Sequence, residues 1–129
     1  MLAPQFIAQY APAVGPGDVG IFVSQSGETK DVLNALEAAQ ARGMACFGLA
    51  NVVGSTLTRA ARLCLPLGCG YEISVPATKT FTNQVLTFLY LAYRMAGRDT
   101  RLLARVPDLM EETLAAVAGQ VEAIAAEIN

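Results

Sequence analysis

Ile21-Phe22-Val23-Ser24-Gln25-Ser26-Gly27-Glu28-Thr29 is the stretch on which the reading of this chain turns. An apolar run stops abruptly in a hydroxyl-rich turn with one glycine, and a helical pattern follows at 31–42. A strand that ends this way leaves unpaired backbone N–H groups at a helix start, with the hydroxyls of Ser24, Ser26 and Thr29 beside them. Such a corner is a neutral cradle for a phosphate group. Gly27 lets the backbone approach an anion closely. The same residues also make ordinary N-caps, since a serine- and threonine-rich turn is a common way to begin a helix. Composition alone puts capping slightly ahead of ligand binding.

Outward from that corner the chain alternates strand and helix. Residues 19–23 read as a strand, introduced by the turn Gly15-Pro16-Gly17-Asp18. Residues 31–42 form a helix with Val32, Leu33, Leu36 and Ala39 on one stripe and Gly43 as its stop. A second strand is predicted at 44–50, a loop at 51–54, and a short helix to about residue 61 capped by Ser55. The third strand is predicted at 63–67, followed by a loop over 68–77. Thr78 then caps a long helix ending at Gly97, whose inward face should carry Phe81, Val85, Phe88, Leu89, Ala92 and Met95. Pro107 opens a last helix with Met110, Leu114, Val117, Val121, Ile124 and Ile128 at gaps alternating four and three. That spacing suits a seam on another helix and, equally, packing on the domain's own core.

Parallel strands joined by right-handed crossovers make an α/β sheet flanked by helices. Every strand's C-terminal end then lies on one edge, so the loops 24–29, 51–55 and 68–78 should converge there, where open α/β sheets bind ligands. The second loop reads by default as a turn and a cap. The third carries Tyr71, Glu72, Ser74 and Thr78, with Pro76 fixing the approach to the helix. Glu72 is its only carboxylate, either a general base, a sugar-hydroxyl acceptor or, more simply, a solvated side chain. Lys79 forms an imine only if strongly desolvated.

Composition excludes several classes. At 129 residues the chain fits one domain, and 53% apolar against 16% charged residues rules out a disordered tail. With a net charge of −2 and no basic run, neither nucleic acid nor an anionic membrane is an expected partner. Residues 85–92 are too short to span a bilayer, and the first ten lack the pattern of a signal peptide. No G-x-x-x-x-G-K-[ST] or strand-linked G-x-G-x-x-G occurs, so neither a nucleoside-triphosphatase loop nor a dinucleotide cofactor is indicated. Histidine is absent. Cys46, Cys64 and Cys69 have no C-x-x-C spacing, so no metal or disulfide framework is expected and a reducing cytoplasm fits best. No cofactor is expected.

Ser24-Gln25-Ser26-Gly27-Glu28-Thr29, then Asn51-Val52-Val53-Gly54-Ser55-Thr56-Leu57, then Glu72-Ile73-Ser74-Val75-Pro76-Ala77-Thr78-Lys79 resembles the sugar isomerase (SIS) domain. Within that family it is most similar to the first of the paired SIS domains in glutamine–fructose-6-phosphate aminotransferases. The resemblance implies a doubly wound parallel sheet, here of about three strands, and phosphosugar binding. It implies that Ser24, Gln25, Ser26, Gly27 and Thr29 hold the phosphate and sugar, with Val75 and Ala77 contacting the sugar. Relatives commonly carry a serine where Ala77 stands.

The resemblance also divides the chain into a partial SIS domain at 1–97 and a C-terminal helical connector at 98–129. The family's opening strand–loop–helix unit has no match ahead of Val19. An apolar first strand without a neighbour on its outer edge implies a homodimer, or association with another SIS domain. In the aminotransferases the isomerising glutamate and histidine belong to the second SIS domain, so no catalytic residue is assigned here. The alternative function is a non-catalytic phosphosugar sensor or dimerisation module.

Overall fold

A near-continuous apolar run after the turn at Asp18 forms β1, Val19–Ser24, one residue longer than predicted. The computed structural model describes residues 1–73 and 77–128. β2 follows at Ala45–Ala50 and β3 at Leu63–Pro66. The three strands form one parallel sheet in the order β1-β2-β3, with Val19 opposite Ala45, Ser24 opposite Ala50, and Ala50 in turn opposite Pro66. As the central strand, β2 is covered most fully, and Cys46, Leu49 and Ala50 are buried. Burial pushes the Cys46 thiol up from its ordinary pKa, in keeping with a packing role.

α2, Lys30–Ala41, lies on the sheet through Ala35, Leu36 and Ala39. Gly43 ends it in the left-handed conformation at φ +78°, and the Gly43 N–H closes onto the Gln40 carbonyl. α3, Thr56–Ala60, contributes Leu57, which is fully buried with Leu36, Ala39, Cys46 and Ala50 in one core cluster. An additional helix, α1 at Ala3–Gln9, was not expected from the sequence. Pro4 stands in its first turn, where a missing N–H costs nothing. α1 packs on α2, and Phe6 meets Phe22 of β1 edge-to-face at 6.2 Å.

The chain forms two compact units, Met1–Val85 and Leu86–Asn129. α4, Lys79–Met95, has the predicted length, but its predicted inward face is not inward. Phe81, Val85, Phe88, Leu89, Ala92 and Met95 are all exposed, and Thr80 is the helix's buried residue. Periodicity identifies an apolar stripe without identifying what covers it. α5, Val106–Ile128, presents its seam in the same way, with Leu114, Val121 and Ile124 each more than half exposed. The short turn before it is a 3-10 helix, Arg101–Arg105. Among the described residues no helix is long and apolar enough to cross a membrane.

Candidate functional site

The loops after β1, β2 and β3 meet at the C-terminal edge of the sheet, and hydrogen bonds fasten each to the next. Asn51, the first residue past β2, is the staple. Its N–H donates to the Gln25 carbonyl at 3.0 Å. Its side-chain oxygen accepts the Cys69 N–H at 2.9 Å, and its side-chain nitrogen donates to the Gly70 carbonyl at 2.6 Å. Beside it opens a cleft of about 420 Å³ lined by Gln25, Asn51, Val52, Gly70, Tyr71 and Glu72.

The phosphate-type corner is built around Ser24, which is buried. Its hydroxyl oxygen accepts the Gly27 N–H at 2.9 Å and shares a 2.8 Å hydrogen bond with the Thr29 hydroxyl. Ser24 therefore shapes the turn from inside. The Ser26 oxygen accepts the Glu28 N–H at 3.1 Å. Ser26 is half-buried and Thr29 exposed, so both stand nearer solvent than Ser24.

Thr29 occupies the N-cap position of α2, yet its side chain makes no capping bond. The first helical bond runs from the Leu33 N–H to the Thr29 carbonyl. The amides of Lys30, Asp31 and Val32 thus precede the hydrogen-bonded ladder, at the positive end of the helix dipole. Gln25 lines the cleft. Ala77 is exposed, and Val75 lies outside the described residues.

Capping differs from expectation at α3. Ser55 makes no side-chain cap to α3. The Thr56 N–H instead donates to Glu28 Oε1 at 2.7 Å, and the neighbouring Leu57 N–H donates to the Gly27 carbonyl at 3.0 Å. Glu72 is not simply solvated. Its Oε2 accepts both the Thr80 N–H and the Thr80 hydroxyl at 3.0 Å, which ties the third loop to the start of α4. The Thr56 amide, and then its hydroxyl, hold the Glu28 carboxyl below the ordinary glutamate range. The Thr80 amide does the same for Glu72. Lys79 donates to the Tyr71 carbonyl and is exposed, so it has none of the desolvation that an imine-forming lysine needs. The bridging roles of Asn51 and Glu28 were missed from the sequence because their partners lie 18 and 28 residues away.

The start of α2, without a side-chain cap from Thr29, thus stands on the carboxyl edge of the parallel sheet, and of the loop 24–29 only Gln25 also lines the cleft. The SIS domain family model matches residues 1–94. The chain belongs to the SIS domain family. Glutamine–fructose-6-phosphate aminotransferase [isomerizing] of Pyrobaculum aerophilum is 42% identical over 129 aligned residues, covering 95% of this chain and 21% of that protein. The enzyme of the same name from Aquifex aeolicus is 43% identical, over 87% of this chain and 19% of its own length. This SIS chain therefore spans about a fifth of the curated relatives it matches. Among solved structures, glucosamine-6-phosphate deaminase of Thermotoga maritima superposes with a TM-score of 0.73 at 22% identity, covering 90% of this chain and 37% of that one. That likeness establishes the fold.

Proposed function

We propose that this SIS domain binds a phosphosugar of the fructose 6-phosphate or glucosamine 6-phosphate kind. The observation that carries the reading is the start of α2, where the N-cap residue Thr29 makes no side-chain capping bond to the first-turn amides. The phosphate sits against the first-turn amides, with the Ser26 and Thr29 hydroxyls beside it, and Ser24 and Gly27 hold the turn in shape. Gln25 and the cleft next to it take the sugar, together with backbone near Val75 and Ala77. Recognition rests on amides, hydroxyls and a helix dipole. Lys30, the next residue, adds a cation at the rim. The names of the aminotransferase relatives support a ketose phosphate as ligand.

Calorimetric titration tests this. Fructose 6-phosphate should bind, unphosphorylated fructose should not, and Ser26→Ala with Thr29→Ala should weaken binding by about tenfold or more, since hydrogen bonds to a charged group contribute about 1.5–3 kcal/mol each. Equal affinity in the double variant rejects the site.

A second reading, association with another copy or another SIS domain, is favoured by the outer edge of β1. No strand pairs with that edge among the described residues, and Val19 and Ile21 are 64% and 46% exposed there. Phosphosugar binding and association are compatible, and together they describe a sensor as well as an enzyme part.

A further inference from the structure

We infer that Glu28 is the positioning residue of the anion-binding loop: by gripping the first amide of α3 it holds residues 24–29 in the shape that leaves the start of α2 open. The inference rests on the phosphosugar reading above. A carboxylate in such a loop is at first sight misplaced, because it repels the anion the loop would hold. Here its charge is directed elsewhere. Oε1 lies 2.7 Å from the Thr56 nitrogen, and Arg59 on the same helix adds a favourable charge. The carboxylate thus serves the positive end of α3 and leaves that of α2 unoccupied.

Two backbone bonds, Asn51 N–H to the Gln25 carbonyl and Leu57 N–H to the Gly27 carbonyl, flank the Glu28 contact. Ser55 does not cap α3, and among the described residues Glu28 is the side chain bonded to the Thr56 amide. The fit is also tight. A Cβ on Gly27 would lie 1.9 Å from the Ser55 hydroxyl oxygen, so movement of the α3 start passes directly into the turn. The Gly27 N–H is the group that Ser24 holds, and Ser24 in turn holds Thr29. Glu28 therefore acts on the ligand through the turn and without touching it.

The test uses the whole chain with Glu28→Ala and Glu28→Gln. The glutamine retains a side-chain oxygen that can accept the Thr56 N–H; alanine retains none. With both variants folded by thermal melt, Glu28→Ala should bind fructose 6-phosphate and inorganic phosphate about tenfold more weakly, and Glu28→Gln should stay within about threefold of the unaltered protein. Amide exchange at Thr56 and Gly27 should quicken in the alanine variant and return toward normal in the glutamine variant. Full affinity in Glu28→Ala, or equal damage in both variants, overturns the inference. If the unaltered chain binds neither ligand, the phosphosugar reading fails. The exchange data then judge the clamp separately: protection lost only with alanine upholds it, and equal protection in all three proteins overturns it.

Discussion

Gly27 adopts φ +68°, and no other residue type fits both its backbone and its surroundings. Left-handed backbone costs an L-residue about 1–2 kcal/mol, and a Cβ at 1.9 Å from Ser55 Oγ requires one of the two loops to move. Gly27→Ala should therefore lower the melting temperature and weaken fructose 6-phosphate binding by about tenfold or more. Adding Ser55→Gly removes the collision but not the strained backbone, so the double variant should recover part of each loss. Melting curves and calorimetry on the three proteins check this, and an unaltered Gly27→Ala would show that the turn is not held as described. At this scale the sequence is informative about type and silent about direction. The resemblance implies Ser24 as a phosphate and sugar ligand, and in the fold its buried hydroxyl is the turn's internal acceptor for the Gly27 N–H. A hydroxyl three residues before a glycine N–H serves either role, and only the path of the backbone selects one.

At the scale of elements, helix existence was readable from periodicity, but the caps were not. α3 begins on a glutamate from a different loop, Glu28, and α4 on Glu72, eight residues back in the loop that leads into it. Both carboxyls are held below their ordinary pKa, chiefly by backbone N–H groups. Asp99, hydrogen-bonded by the Arg101 side chain, is shifted the same way. Since each folded value lies below the unfolded one, the stabilisation is complete above the unfolded glutamate pKa of about 4.3 and disappears as pH falls through the folded values. Thermal stability should hold steady from neutral pH to about pH 5 and decline below about pH 4. Glu28→Gln combined with Glu72→Gln should flatten that decline, and a double variant with an unchanged acid profile would remove these caps as its cause. Local pattern rules failed here because a cap supplied from outside the helix leaves no signature near the helix itself.

At the scale of the whole molecule, apolar surface is the outstanding feature. Val19 and Ile21 on the free edge of β1, Phe81 and Met95 on α4, and Leu114 and Val121 on α5 are all exposed. Sedimentation should find the chain associated at micromolar concentration. Val19→Lys with Ile21→Lys should shift it toward monomer, since lysines on an edge strand oppose further pairing. A monomer across that range, unchanged by the double variant, would count against association through the edge. The strands, the crossover helix α2 and the hydroxyl–glycine turn were legible because each is encoded within about ten consecutive residues by periodicity and turn chemistry. The amphipathic stripes of α4 and α5 were legible too, though their exposure was not, because a stripe carries no record of its partner. What the amino-acid order determined by itself is the parallel α/β layout and the place of a candidate anion site at the end of β1. Only the tertiary structure decided that Asn51 and Glu28 lock three loops into one site, because parallel register is what brings groups 18 and 28 residues apart within hydrogen-bonding distance.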